Sequence, residues 1–246
     1  MAMRPDIFYE RTEVTHEVVE AKRSEICYDL IVDLITGETN RPKKLLDIGC
    51  GDGSFSARLR KCCEVFGVDV SQKAIDLARR IGVNAYKADI SCQELPFSNE
   101  YFDIVYMGDV IEHLLNPDFA IKEVRRVLKS DGFLVLSTPN IASWLNRLLL
   151  VVGLQPLSSE VSTVKSFGRY GKQDITPVGH LRLFTYRALK EFLAYYQFSV
   201  LKVKGAPFGG LPSVLGKVDV IISNIPSLSS VLVLEARKLT RSSSTI

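Results

Sequence analysis

An apolar run that ends in three glycines spaced two apart, Leu45-Leu46-Asp47-Ile48-Gly49-Cys50-Gly51-Asp52-Gly53, constrains this chain more than any other feature. Glycine lets the backbone turn sharply and lets a ligand approach the main chain. A helix-like segment follows, residues 54–61, and its N-terminus would add unpaired amide groups. The pattern predicts a strand, a tight turn and a helix with a cofactor held against the turn. On the glycines alone, an unliganded structural turn is the competing explanation.

The rest of the first half repeats that order. Strand-like residues 65–70 and 84–90 alternate with a helix-like stretch at 72–81. A strand at 102–107 then precedes a helix opened by Asn116-Pro117 and a strand at 133–138. Asparagine caps free amides and proline tolerates the first helical position. Asp131-Gly132 is expected to turn the chain into the last of these strands. Such alternation implies a mostly parallel, doubly wound sheet with helices on both faces, a three-layer α/β/α domain. Before it, residues 15–36 carry apolar positions at helical spacing, closed by Gly37.

Acidic residues recur at the ends of these strands. Asp69 ends the second strand, where a carboxylate can accept hydrogen bonds from a ribose, and Ser71 is free to cap the next helix in its place. Asp89 ends the third and Asp109 follows the fourth. With Asp47 they put four carboxylates on one edge of the sheet, the edge where open α/β folds bind ligands. A dinucleotide of the NAD type fits poorly. The third glycine arrives one residue early for that motif, and an acid at Asp47 repels a pyrophosphate. A cationic ligand suits it better.

At 246 residues, one α/β domain with an insertion is expected. A net charge of +3 without a basic block argues against a nucleic-acid partner. The five cysteines show no CxxC spacing, so neither a disulfide framework nor a metal site is expected, and a reducing, cytoplasmic compartment is. With charges before any long apolar run, no secretory leader is expected. The most lipophilic stretch, residues 148–154, is too short for a transmembrane span, although peripheral membrane contact stays open.

Residues 43–140 resemble the Rossmann-like, class I S-adenosylmethionine-dependent methyltransferases, especially the ubiquinone-biosynthesis type. The resemblance rests on the glycine motif, Gly67-Val68-Asp69-Val70-Ser71, Lys87-Ala88-Asp89-Ile90, Phe102-Asp103-Ile104-Val105, Val110-Ile111-Glu112-His113-Leu114 and the stretch 123–139. It implies seven strands, the last antiparallel, and S-adenosylmethionine as cofactor with S-adenosylhomocysteine as product. It further implies that Asp47, Gly49 and Gly51 line the methionine and ribose, that Asp69 with Val70 holds the ribose, that Asp89 and Ile90 meet the adenine, and that Met107 and Gly108 flank the methionine end.

Around that core, residues 1–42 are expected to form an N-terminal cap, 141–180 an insertion over the substrate site, 181–240 the second half of the sheet and 241–246 a frayed tail. The expected activity is methyl transfer to a small-molecule acceptor, an apolar hydroxyl compound preferred, by a monomer or homodimer. Nucleic-acid or protein methylation, or a cofactor-binding module without turnover, are the alternatives. Of His16, His113 and His180, His180 is the candidate base because it closes the insertion. A histidine that merely fastens that insertion weighs equally, and His113 reads as packing. Trp144, Leu145 and Leu148 to Leu150 read as core for the most part, or else as an apolar pocket wall.

Overall fold

The computed structural model describes residues 17–37, 42–169, 177–208, 211 and 213–240. His16 with the rest of residues 1–16, residues 38–41, residues 170–176 of the insertion and the tail expected at 241–246 lie outside them. Seven strands form one sheet: β1 (Lys44–Ile48), β2 (Glu64–Asp69), β3 (Asn84–Lys87), β4 (Phe102–Gly108), β5 (Leu128–Pro139), β6 (Phe198–Ala206) and β7 (Val231–Lys238). Their order is β3-β2-β1-β4-β5-β7-β6. The pairs β1·β2, β1·β4, β2·β3 and β4·β5 are parallel, and β7 runs antiparallel between β5 and β6. Chain order reverses at β1 and β4, which opens a crevice at their carboxyl ends.

Helices α1 (Glu17–Thr36), α2 (Ser54–Ala57), α3 (Gln72–Arg80), α4 (Pro117–Val127), α5 (Trp144–Val151), α6 (Tyr186–Tyr195) and α7 (Ser213–Ile222) accompany the sheet, with a 3-10 turn at Ile111–His113. Side chains alternate between the two faces of each strand. Leu45, Ile104 and Tyr106 pack with Leu30 and Ile31 of α1 and Ile75 of α3. Leu46, Ile48, Val105 and Met107 pack with Ile121 and Val124 of α4 and Leu189 of α6. Ser71 caps α3 by accepting from the Ala74 amide, and Asn116 caps α4 by accepting from the Phe119 amide.

The structure departs from the sequence expectations in several places. The helix expected over 54–61 ends at Ala57, where i to i+3 bonds such as Leu59 N to Ser56 O take over. The strand expected over 84–90 stops at Lys87. Asp131-Gly132 makes no separate turn. The register shifts between Phe102 and Ile104 while β5 runs on from Leu128, and Asp131 sits inside it at φ 62°. Helix α7 stands where a Gly/Pro-rich connection is expected, because Gly209, Gly210, Pro212 and Gly216 in the sequence read as chain breakers. Leu148 and Leu150 are more than half exposed, so they are not core, whereas Leu149 is buried. Among the described residues no helix is long and apolar enough to cross a membrane.

Candidate functional site

The turn after β1 has the left-handed backbone that only glycine adopts without strain: φ is 74° at Gly49, 53° at Gly51 and 81° at Gly53. Its first amides are anchored, with Gly49 N and Cys50 N both donating to Val68 O at 2.8 and 3.0 Å. A side chain at Gly53 would press on Ala78 of α3, at 2.9 Å, whereas the space beyond Gly51 is open. That open face of the turn is where a ligand can reach the main chain.

Asp69 stands beside it at the tip of β2. Its Oδ2 accepts from Gly51 N at 3.0 Å and its Oδ1 from Ser71 N at 2.8 Å. These bonds orient the carboxylate without exhausting it, since each oxygen keeps a second acceptor direction. Val70 and Gly108 are half-buried, and Met107 is fully buried, so Met107 can offer a ligand little beyond its backbone. Asp89 is half-buried with Oδ1 accepting from Ser91 N, next to buried Ile90. The residues fit a nucleoside: an open glycine turn, an oriented carboxylate on the neighbouring strand and another one strand further out.

Asp47 does not stand at the open edge with the others. It is 2% exposed and points to the α1/α3 side of the sheet, where its carboxylate accepts from the Ser56 hydroxyl of α2. The cause is strand periodicity, which turns Asp47 to the same face as Leu45. Burial raises its pKa from 3.8 to about 7, the Ser56 bond opposes that rise and the nearby Asp69 charge adds to it. Its influence on a ligand at the turn is through charge.

The tip of β4 carries a strained acid. Asp109 adopts φ 51°, accepts from Ser137 Oγ at 2.8 Å and forms an ion pair with Arg23 of α1. Helix α1 is thereby tied to the crevice edge. A left-handed aspartate at a strand tip is a costly conformation that functional sites concentrate.

Beyond Asp109 the 3-10 turn brings Glu112 and His113 against His180, whose ring centroid is 4.9 Å from that of His113. His113 Nδ1 lies 3.1 Å from Gly179 O and His180 Nδ1 2.9 Å from Ser158 O. A carbonyl only accepts, so each Nδ1 carries the proton. Burial lowers both imidazole pKa values, that of His113 to about 4. Burial raises that of Glu112 to about 7, against a hydrogen bond from Thr138. Glu160 fastens the far side, accepting from the amides of Val178, Gly179 and His180, while Leu181 and Arg182 donate their amides to Glu112 O.

The structure brings His180 against His113, a contact that the sequence reading of His180 as a candidate base does not include. Glu112, Arg23 and Glu160 are not among the site residues the sequence suggests, and His113, expected as packing, lies beside His180. Glu112 and His113 were legible as a Glu-His pair just past β4. Nothing in the sequence marks Arg23 or Glu160.

Residues 46–136 match the methyltransferase domain family. The chain is 33% identical over 119 residues to the ubiquinone biosynthesis O-methyltransferase of Pelagibacter ubique, which covers 46% of this chain and 50% of that protein. It is 28% identical over 137 residues to the 27-O-demethylrifamycin SV methyltransferase of Amycolatopsis mediterranei, 51% of this chain and 46% of that one. The chain thus spans about half the length of the curated relatives it matches. Among solved structures, a SAM-dependent methyltransferase of Thermotoga maritima superposes with TM-score 0.57 at 22% identity, covering 94% of this chain and 99% of that one. The cyclase SpnF superposes with TM-score 0.53 at 21% identity, covering 86% and 82%. At such identities these structures speak to the fold alone.

Proposed function

We propose that the chain is a class I S-adenosylmethionine-dependent methyltransferase that transfers a methyl group to a hydroxyl of an apolar small molecule, a reading supported by the match of residues 46–136 to the methyltransferase domain family and by the sheet it shares with such enzymes. In this reading the cofactor is S-adenosylmethionine, as the family match supports. Its sulfonium supplies an already activated methyl group, which becomes the acceptor's when the thioether is released. The chain's own residues bind, orient and exclude water. Holding the reacting atoms in line contributes about 7 to 11 kcal/mol in favourable cases.

The observation that carries the proposal is Asp69, oriented by the Gly51 and Ser71 amides beside an open glycine turn. In this assignment Asp69 and Val70 hold the ribose, Asp89 and Ile90 meet the adenine, and Gly49 and Gly51 let the methionine portion lie against the backbone. Met107 and Gly108 bound its end, and Asp47 favours the cationic ligand from beneath the turn. His180 activates the acceptor hydroxyl from the edge beyond Asp109, its neutral ring turned by the Ser158 carbonyl. Residues 43–140 are then the cofactor core and 141–180 the cover of the acceptor side. Two named relatives that are O-methyltransferases or methylate a demethylated oxygen position support a hydroxyl acceptor. Five unpaired cysteines support a reducing, cytoplasmic setting.

The test supplies methyl-labelled cofactor with a panel of apolar phenols and alcohols. Label transferred to an acceptor oxygen, with S-adenosylhomocysteine formed in equal amount, is expected. Cofactor binding with no transfer to any acceptor would instead favour a binding module without turnover.

A further inference from the structure

Helix α1, the edge strand β6 and helix α7 enclose a cavity of about 240 Å³ at the end of the sheet away from β3. None of the residues assigned above to the cofactor or the acceptor lines it. Its walls are apolar, with Ile26 from α1, Val203 from β6, Val220 from α7 and Pro226 just beyond that helix. Two exposed cations stand at its rim, Lys22 from α1 and Lys204 from β6. Among the described residues no carboxylate lines it.

Local geometry explains why the cations arrive there. Lys22 lies one helical turn before Ile26, so both project from the same side of α1. Lys202 and Lys204 share one face of β6. Lys202 Nζ bonds Glu235 at 2.9 Å and is matched, whereas neither Lys204 nor Lys22 has an ion-pair partner among the described residues. The neighbouring polar side chains are engaged internally: Ser223 Oγ donates to Asp219 O at 2.6 Å and Asn224 Nδ2 to Ile221 O at 3.0 Å. The floor is fixed as well. A Cβ on Gly205 would come within 2.1 Å of Ser223 O, so the end of β6 meets the turn after α7 backbone to backbone.

We propose that this cavity binds a small organic anion, a carboxylate or phosphate ester carried on a compact apolar body. The body displaces water from Ile26, Val203 and Val220, which burial of apolar surface favours. The anionic oxygens face Lys22 and Lys204, whose stems cover the apolar rim while their charges stay in water. At about 240 Å³ the cavity is below the roughly 300 to 1,000 Å³ of sites for drug-sized ligands, so its occupant is small.

The cavity has a physical route to the crevice. Lys22 immediately precedes Arg23, which pairs with Asp109 at the tip of β4. An anion held between Lys22 and Lys204 braces α1 against β6 and thereby steadies Arg23 at the edge of the glycine turn's crevice. Any such coupling is reciprocal, so a ligand in the crevice that needs α1 in place tightens the anion in return. Binding of the anion itself does not depend on the proposed methyl transfer.

The test titrates the full chain by calorimetry with phenyl phosphate, phenol and inorganic phosphate, at low and at high salt. One phenyl phosphate per chain is expected, held more tightly than phenol or phosphate and loosened by salt. Lys22→Ala and Lys204→Ala should each weaken it by up to about 5-fold, the range of exposed ion pairs, and the charge reversal Lys204→Glu should weaken it further. Both side chains are exposed, so these variants keep the fold, which circular dichroism verifies. The chain saturated with S-adenosylhomocysteine should bind phenyl phosphate at least as tightly as the free chain. No saturable phenyl phosphate binding, equal affinity for inorganic phosphate, or unchanged affinity in Lys204→Glu overturns the proposal. Competition by S-adenosylhomocysteine also overturns it, by putting the anion in the crevice. S-adenosylhomocysteine binding measured without the anion tells failure of the cofactor assignment from failure of this cavity.

Discussion

Asp69 Oδ2 accepts the amide proton of Gly51 across 3.0 Å, joining the tip of β2 to the glycine turn after β1. The bond makes the acid part of the turn's geometry as well as a candidate ribose ligand. Asp69→Ala is expected to weaken S-adenosylhomocysteine binding by about 1.5 to 3 kcal/mol, the worth of hydrogen bonds to a charged group. Calorimetric titration of both proteins checks it. Equal affinities would remove Asp69 from the site.

The glycines differ in what they tolerate. Gly53→Ala combines a left-handed φ of 81° with a contact against Ala78, whereas Gly51→Ala meets open space at φ 53°. Gly51→Ala should cost the conformational strain alone, about 1 to 2 kcal/mol. Gly53→Ala should add about 1 to 3 kcal/mol of overpacking. Urea denaturation reads both. For ligand binding the order should reverse, because the Gly51 methyl would project into the space the ligand needs.

Asp47 makes stability depend on pH. Its folded pKa of about 7 lies above the 3.8 of the free group, so between those values the folded chain holds a proton that the unfolded chain has lost. Stability from this group is fully present below about pH 4 and declines as pH rises towards 7. Asp47→Asn, which cannot ionise, should therefore gain stability over the wild type as pH increases from 5 to 8. Chemical denaturation at both values checks this, and a gap that shrinks with rising pH would contradict it.

Glu160 is expected to hold the segment carrying His180. Glu160→Ala removes acceptors from the amides of Val178, Gly179 and His180 and should speed proteolytic cleavage near residues 178–183. The glycine turn, which Glu160 does not touch, should keep its affinity for S-adenosylhomocysteine. Unaltered cleavage would show that the contacts to Glu112 O suffice.

The first half of the fold was legible because its signals are local. Gly49, Gly51 and Gly53 mark a backbone that other residues cannot adopt, and Ser71 and Asn116 mark helix starts by chemistry that acts within three residues. Two kinds of information were not local. The face taken by Asp47 depended on strand phase relative to α1 and α3, which sent it under the turn instead of to the edge. The meeting of His113 with His180 depended on how the segment after the insertion crosses the 3-10 turn, a contact made by backbone bonds to Glu112 O. Helix α7 was hidden for a third reason, since Gly209, Gly210 and Pro212 before it and Gly216 within it are residues that ordinarily punctuate a loop.

Calorimetric titration of the purified chain with S-adenosylhomocysteine and, separately, with NAD tests the central claim most directly. Saturable one-to-one binding of the sulfur nucleoside with no heat from NAD is the expected result. Saturable NAD binding with none for S-adenosylhomocysteine would contradict the assignment of the glycine turn and Asp69.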